Sequence, residues 1–456
     1  MTAGGGSEAD RLDRLAALVA AARAAGAEAA DAMLVAGASL TVARRVGRVE
    51  KVERAESLDL GLRVFVGGGR AAVVATTELD PPGGYAALAA RAVAMARALP
   101  EDAFAGLPGE AEVARGFDPR ALDLLDDGPE PDVAALAARA AEAEEAGLAV
   151  AGVTNSEGAE ASWSRTAVAL AASNGFAGAY ARTSHGLAAA LVAGEGTGME
   201  RDYDFAAATH LADLDDAAAL GRGAGERAVR RLNPRRPRTA AMPVVYDPRV
   251  ANSLVGHLSA AANGASVARG TSFLRDRMGE AVMSPGVTIR DDPARPRGRR
   301  SRPFDGEGVA GGPRALVEGG VLRSWLLDAR TARQLGLSTT GHAARSVAGT
   351  PSPSATNLWM EPGPLPPEAL MADVREGLYV IELIGMGLNP TTGDYSRGAA
   401  GFMIRDGALA EPVAEVTVAG NLRDMFRAMT PASDLRFKRG TDAPTVRVEG
   451  MTVAGA

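Results

Sequence analysis

The sequence predicts an α+β protein in which a mixed N-terminal region of helices and strands, which could form two subdomains, precedes a β-rich C-terminal domain. The chain has 456 residues, more than a single hydrophobic core usually supports. Helical and alternating apolar periodicities succeed one another up to about residue 232, whereas short apolar runs between Gly and Pro dominate afterwards. These patterns favour domains at 1–110, 128–232 and 233–456.

The first hundred residues predict a helix, a strand meander and a second helix. Leucines spaced three and four residues apart from Leu12 onwards indicate an amphipathic helix that ends near Gly26. The Ala-rich segment 85–99 is typical of a helix, and Pro100 stops it. Apolar and β-branched runs, with a glycine turn before the last, predict strands at 34–46, 57–66 and 71–76.

The same order of elements recurs loosely in the second hundred residues, although the residue identities do not match. A stretch rich in Pro, Gly and Asp, 101–131, lacks periodicity and predicts a linker or a loop over the surface. Turns are predicted at Glu157-Gly158 and at Asn174-Gly175. The predicted strands are 149–155, 160–174 and 176–193, and the helices that flank them are 132–147 and 215–231.

The Pro/Arg segment 231–238 cannot continue a helix and marks the start of the C-terminal domain. An apolar strand is predicted at 243–246, directly after this segment. Helices are predicted at 248–262 and 421–429, and the rest of the domain consists of short strands and Gly/Pro turns.

Composition excludes several classes of protein. The net charge of -7 and the 4% aromatic content disfavour a nucleic-acid-binding surface. The absence of cysteine removes disulfides, thiolate nucleophiles and cysteine-bound zinc, and it suits a reducing compartment. Charged residues interrupt the N-terminal segment, which disfavours the apolar core of a signal peptide. No apolar run reaches the roughly 18 residues of a membrane span. We expect a cytoplasmic protein that binds neither nucleic acid nor membrane.

No local catalytic motif is present. The four histidines, His185, His210, His257 and His342, are too far apart in sequence for a helical zinc-binding pair. His257 lies inside a predicted helix, where a lone histidine is usually structural. There is no G-x-S-x-G nucleophile elbow, so a serine hydrolase stays open only because nothing excludes it.

The densest polar segment follows an apolar strand predicted at 378–384. Its polar side chains alternate with glycines, which predicts a tight, hydrogen-bonded loop between strands. Such a loop either shapes a binding cleft or braces a sheet corner, and the residue types favour neither. Its polar and glycine residues include Asn389, Thr392, Gly393, Asp394, Ser396 and Gly401.

At this loop the sequence resembles the TldD/PmbA family. The resemblance covers most of the chain and is densest between about 231 and 435. Upstream it includes Thr356-Asn357 and Phe304-Asp-Gly-Glu-Gly308, a motif that contains Asp305 and Glu307. The motifs around the loop are Thr392-Gly-Asp-Tyr-Ser396, Gly401-Phe-Met-Ile404 and Ala419-Gly-Asn-Leu422.

The resemblance implies a role in proteolysis. In this family the TldD-type subunit carries zinc on an H-E-x-x-x-H helix, together with a cysteine near the C-terminus. The corresponding segment here, 253–263, has one His and no Glu, and the metal positions fall near Val255, Gly256 and Ala260. The resemblance therefore implies the TldE/PmbA branch, which lacks the metal motif and forms a heterodimeric metallopeptidase with a TldD-like chain.

On this interpretation the chain has no catalytic residue, metal or cofactor of its own, and zinc is expected in the partner subunit. The implied substrates are peptides, including leader peptides, and small unfolded proteins. The open alternatives are an autonomous hydrolase with an unrecognised nucleophile and a peptide-binding protein without an enzyme partner. The candidate substrate or interface residues are Asn389, Thr392, Gly393, Asp394, Ser396, Gly401 and Asn421, with Asp305, Glu307 and Asn357 as supporting family residues.

Overall fold

In the computed structural model, which describes residues 6–455, the N-terminal region folds around one antiparallel sheet. Its strands are β1 (Ala29–Arg45), β2 (Arg48–Val66), β3 (Arg70–Thr76), β4 (Val153–Ala172), β5 (Ala177–Ala193) and β6 (Glu200–Ala208). They lie in the order β3-β2-β1-β4-β5-β6. Because β1 pairs with β4 at the centre, the two predicted subdomains share one continuous sheet.

Two pairs of helices cover one face of this sheet. They are α1 (Glu8–Ala24), α2 (Gly84–Arg97), α3 (Val133–Leu148) and α4 (Ala217–Arg230). The first pair packs against β1 to β3 and also contacts β4, and the second packs against β4 to β6 and also contacts β1. The helix–strands–helix order recurs in space as well as in sequence, and Ala-rich surfaces let each helix approach the sheet closely.

Two predicted details of this region are wrong. The predicted strand 149–155 is wrong in its first part, because α3 continues to Leu148 and β4 begins only at Val153. Glu157-Gly158 is not a turn, because β4 runs through it with a shift of register. Gly158 has a φ of 118° there, which only glycine adopts easily, and a bulge absorbs the extra residue.

Residues 101–131 form a loop on the opposite face of the sheet. Val113 pairs with Val309 of the C-terminal domain, and the Leu124 carbonyl accepts the N–H of Thr183 on β5. Leu122 and Leu124 are buried. The segment therefore connects the sheet to the C-terminal domain by packing.

The C-terminal domain is rich in short strands, which confirms the predicted fold class. The remaining strands are β7 (Ala240–Tyr246), β8 (Ile289–Asp291), β9 (Arg314–Glu318), β10 (Val321–Leu322), β11 (Ala343–Ala344), β12 (Ser352–Pro353), β13 (Leu358–Met360), β14 (Glu376–Ile384), β15 (Asp394–Arg405), β16 (Ala408–Asn421), β17 (Met429–Pro431), β18 (Thr441–Asp442) and β19 (Val446–Ala454). β14, β15, β16, β19 and β7 pair in a closed ring, and β17 adds to β19.

A second sheet, in the order β10-β9-β8-β13-β18, shares its apolar core with the ring. The helices of this domain are α5 (Pro248–Ala261), α6 (Gly264–Ala268), α7 (Ala329–Leu335), α8 (Pro367–Met371) and α9 (Leu422–Arg427). Leu254 and Leu258 of α5 are fully buried in that core. Within residues 6–455, no helix is long and apolar enough to cross a membrane.

The contact between α3 and α4 depends on a glycine. A Cβ atom at Gly221 would lie 1.7 Å from the Ala143 carbonyl oxygen. We expect Gly221→Ala to lower the free energy of unfolding by about 1–3 kcal/mol, because the two helix backbones must separate. Gly223→Ala, on the same helix, meets only the end of the flexible Arg227 side chain. It should raise that free energy by up to about 1 kcal/mol through helix propensity. Urea denaturation of both variants measures the contrast, and equal effects would contradict the packing argument.

Candidate functional site

The loop between β14 and β15, residues 385–393, is held by its own hydrogen bonds. The Asn389 Oδ1 atom accepts from two following backbone N–H groups, at 3.0 and 3.2 Å. The Asn389 carbonyl accepts the Gly393 N–H at 2.8 Å, and the Asn389 N–H donates to the Asp394 carbonyl at 2.9 Å. Asn389 therefore determines the turn, and the loop has the tight hydrogen bonding that its sequence predicts.

Asn421, at the end of β16, ties this loop to the neighbouring strand. Its Nδ2 atom donates to the Asp394 carboxylate at 3.0 Å and to the Thr392 carbonyl at 3.1 Å. The Thr392 hydroxyl donates to the other Asp394 oxygen at 2.6 Å, and the Leu422 N–H to the Gly393 carbonyl at 2.7 Å. These bonds, that of Thr392 first, lower the pKa of the exposed Asp394 carboxyl. The network lies at the surface.

The other two predicted loop residues, Ser396 and Gly401, lie in different environments. The Ser396 side chain is exposed on the stem of the loop, and its N–H donates to the Gly387 carbonyl at 2.7 Å. Gly401 is buried farther along β15, where a Cβ atom would lie 1.8 Å from the Tyr379 carbonyl oxygen. Gly401 therefore serves strand packing.

A cleft of about 340 Å³ adjoins the network, and Asn421 lines it. Its lining combines an apolar surface with an excess of positive charge. The apolar residues are Phe273, Leu274, Val282 and Phe426, and the charged ones are Arg277, Arg423, Asp424 and Arg427. The Arg423 guanidinium lies 6.0 Å from the Phe273 ring centre. Sequence reasoning missed this cleft, because its two sides come from residues about 150 positions apart in the chain.

The loop also presents apolar side chains to solvent. The Ile384 side chain at the end of β14 is 60% exposed, and Met386 is 91% exposed. Hydrogen bonds from Leu388 to Met386 and from Ser396 to Gly387 hold the backbone on which they stand. An ordered loop with exposed apolar residues and a polar network is typical of a surface that contacts another chain.

The helix at the family's metal position, α5, has a different chemistry. Val255 is fully buried, and Gly256 and Ala260 carry no donor atom. His257 lies edge-on to the Tyr395 ring at 5.9 Å between ring centres. Burial, and after it the Arg397 guanidinium, lower the pKa of His257 to about 4. One imidazole beside a guanidinium, with no carboxylate or second imidazole on the helix, does not fit a zinc site.

The three supporting family residues lie elsewhere and make none of the loop's hydrogen bonds. Asp305 is buried and accepts the N–H groups of Glu307 (2.8 Å), Val309 (2.9 Å) and Ala343 (2.9 Å). Glu307 pairs with an arginine of the first sheet, as described below. The Asn357 amide donates to the Asp292 carbonyl at 2.7 Å, so this residue connects two loops.

A buried histidine network resembles a nucleophile–base–acid series. His342 Nδ1 lies 2.9 Å from the Thr340 hydroxyl, and His342 Nε2 lies 2.9 Å from the Asp291 carboxylate. His342 and Asp291 have no exposed surface, and the Thr340 hydroxyl accepts the Leu327 N–H at 2.8 Å. Because a substrate cannot reach these atoms, the network braces the loops around β8.

Models of a known protein family match the chain in three consecutive segments. Models of the PmbA/TldA metallopeptidase match as domain 1 at residues 30–96, as the central domain at 126–232 and as the C-terminal domain at 239–455. The chain belongs to the TldD/PmbA metallopeptidase family.

Among curated relatives, Escherichia coli metalloprotease PmbA is 35% identical over 421 residues, which are 91% of this chain and 90% of that protein. A Haemophilus influenzae PmbA homologue is 31% identical and spans 92% of this chain and 90% of its own length. A Bacteroides thetaiotaomicron crystal structure matches 98% of this chain and 99% of its own, with a TM-score of 0.89 and 25% identity. Thermococcus kodakarensis TldE has the same fold, with a TM-score of 0.83 over 97% of this chain and 100% of its own at 19% identity.

The environment of His257 makes stability depend on pH. Its pKa is about 4 in the folded chain and about 6.5 when unfolded, so protonation favours the unfolded state. The stabilisation is complete above pH 6.5 and is lost as pH falls towards 4, which amounts to about 2 kcal/mol between pH 7.5 and 5. Chemical denaturation of the wild type and His257→Gln at both pH values measures this difference. Both proteins have the same carboxylates, so the contribution of these groups to the pH dependence cancels when the two are compared. Parallel pH profiles would contradict the assignment.

Proposed function

We propose that this chain is the non-catalytic, TldE/PmbA-like subunit of a cytoplasmic, two-chain zinc metallopeptidase. Its partner is a TldD-like chain that holds the zinc ion, and the substrates are peptides or small unfolded proteins. Here the chain contributes a surface that contacts the partner and the peptide, and the partner contributes the hydrolytic chemistry.

The observation that carries this proposal is the chemistry of α5. Val255 and Ala260, near the family's metal-binding positions, carry only hydrocarbon side chains, and Val255 is part of the core. The nearby His257 stays neutral at physiological pH, and the Arg397 guanidinium repels a further cation at this place. In this proposal the helix is a packing element, and the hydrolytic chemistry comes from the partner chain.

The Asn389–Asn421 network supports the second part of the proposal. It fixes the backbone between the exposed Ile384 and Met386 side chains and the arginine-lined cleft. A rigid polar backbone beside an apolar, cationic cleft suits an extended peptide whose main chain hydrogen-bonds and whose acidic groups meet arginine. The exposed apolar tip suits burial against a partner subunit.

Co-expression with the TldD-like chain of the same organism tests the proposal. We expect the two chains to elute together on a sizing column and to cleave unstructured peptides, whereas each chain alone is inactive. Activity of the purified chain alone that survives chelation would favour the autonomous hydrolase. Failure to associate with any TldD-like chain would favour a peptide-binding protein.

We expect the isolated chain to bind no stoichiometric zinc, because α5 supplies one imidazole and no carboxylate. Metal analysis after dialysis against zinc-containing and then metal-free buffer measures the zinc content. The co-purified TldD-like chain serves as the positive control, with about one zinc per chain. One tightly held zinc in this chain alone would contradict the proposal.

Asp394→Ala should lower the peptidase activity of the reconstituted pair by about tenfold or more, because the Thr392 and Asn421 side chains lose the acceptor that orders the loop. The melting temperature should change little, since the carboxylate is exposed. Asp80→Ala removes another exposed carboxylate, which pairs with Arg14 and does not line the cleft, and is the matched control. Normal activity with normal melting would contradict a functional role, and a large loss of melting temperature would identify a structural brace.

A further inference from the structure

A second cleft, of about 440 Å³, lies between the first sheet and the C-terminal domain. Chain segments from both regions line it, and none of the predicted loop residues does. Its apolar walls are Phe65, Leu99, Pro100, Pro351 and Pro353. Its volume falls within the roughly 300–1,000 Å³ of small-ligand sites.

Two nearly buried carboxyl groups line this cleft. Glu307 is 3% exposed, and its oxygens accept from Arg63 at 3.2 Å and from the Ala329 N–H at 2.9 Å. Asp328 is 1% exposed, and its Oδ1 atom accepts the Thr331 N–H at 2.7 Å and the Thr331 hydroxyl at 2.6 Å. From residues 6–455, the second Asp328 oxygen receives no hydrogen bond. Because Asp328 lines the cleft, this oxygen is available to accept a hydrogen bond from a ligand there.

The charges around Glu307 do not balance. Four carboxyl groups meet three guanidinium groups in this buried cluster, so negative charge is concentrated at this end of the cleft, while the lining of the whole cleft has three residues of each sign. The carboxyl groups are Asp31, Asp305, Glu307 and Asp328, and the guanidinium groups are Arg63, Arg302 and Arg345. A bound cation would restore neutrality at the base of the cleft.

Farther out, the cleft carries one positive charge without an ion-pair partner among residues 6–455, that of Arg269. Asp102 and Arg330 pair with each other at 2.7 Å. Arg269 is exposed, lines the cleft and makes no ion pair with the described residues. The cleft therefore offers acceptors at its buried end and a free guanidinium near solvent, which complements a molecule with an ammonium group at one end and a carboxylate at the other.

We propose that this cleft binds a short peptide by its free amino terminus, with the ammonium group on Asp328 and Glu307 and the peptide carboxylate near Arg269. The choice of a peptide rests on the proposed function. The recognition of an ammonium group rests on the charge pattern of the cleft.

The charged neighbours of Glu307 give the binding a pH dependence. Burial raises the pKa of Glu307 to about 7 although Arg63 lowers it, and Asp305 and Asp328 add to the increase. A proton on Glu307 occupies the place of the ligand's positive charge, so affinity rises as pH increases through 7. A peptide amino group loses its own proton near pH 8, so affinity falls above that value. We therefore expect the affinity for the peptide to be highest between about pH 7 and pH 8.

Calorimetry on the isolated chain tests the proposal independently of any partner subunit. The probes are the dipeptide Ala-Ala, N-acetyl-Ala-Ala, which lacks the ammonium group, and Ala-Ala-amide, which lacks the carboxylate. At pH 7.5 we expect Ala-Ala to bind, N-acetyl-Ala-Ala not to bind and Ala-Ala-amide to bind more weakly. Absence of Ala-Ala binding at millimolar concentration, or equal binding of the acetylated probe, would overturn the proposal.

Variants locate the site. Asp328→Asn keeps an oxygen that caps α7, so the fold should persist while Ala-Ala affinity falls at least about tenfold. Arg269→Gln changes an exposed side chain and should weaken Ala-Ala but not Ala-Ala-amide. Asp276→Asn, outside the cleft, is the matched control. Unchanged affinity in Asp328→Asn at an unchanged melting temperature would overturn the assignment, and so would an Arg269→Gln effect of equal size on both probes.

Discussion

The Arg63 guanidinium, buried between Asp31 and Glu307, determines how the N-terminal sheet and the C-terminal domain meet. Arg63 on β2 donates to Asp31 on β1 at 2.9 Å and to Glu307 at 3.2 Å. Arg345 completes the group with an ion pair to Asp31 at 2.7 Å. Burial opposes ionisation of Asp31, but Arg345 and Arg63 lower its pKa, so the carboxylate stays charged. Buried charges are tolerated only when paired. Moving the two regions apart would therefore leave these charged groups without their partners.

Close backbone contacts surround this charged group. A Cβ atom at Gly61 on β2 would lie 2.0 Å from the Val347 carbonyl oxygen, so the sheet and the loop after Arg345 touch at main-chain distance. Phe176, in the turn between β4 and β5, packs edge-on to Phe304, with ring centres 4.9 Å apart. Phe304 directly precedes the Asp305–Glu307 turn. Aromatic packing and ion pairing therefore fix the same turn from two sides.

The described residues form two separate candidate binding surfaces. The Asn389–Asn421 network and the arginine-lined cleft stand at one end of the closed ring, where β14, β15 and β16 finish or begin. The second cleft depends on the domain contact, since Arg63 comes from one side and Asp328 from the other. No residue of α5 lines either cleft. In the proposed function, a chain whose α5 carries no metal-ligand set still offers surfaces for a peptide and for a partner subunit.

The sequence alone determined the features that depend on residues close together in the chain. It predicted α5 nearly to the residue and the tight loop, because the Asn389 turn closes within residues 389–393. Only the tertiary structure decided the pairing of β1 with β4, the joining of Phe273 to Arg423 and the meeting of Arg63 with Glu307, which are 244 residues apart. It also showed that Glu157-Gly158 is a bulge. Such contacts depend on long-range packing and charge burial, for which a local pattern of residue types carries no signal.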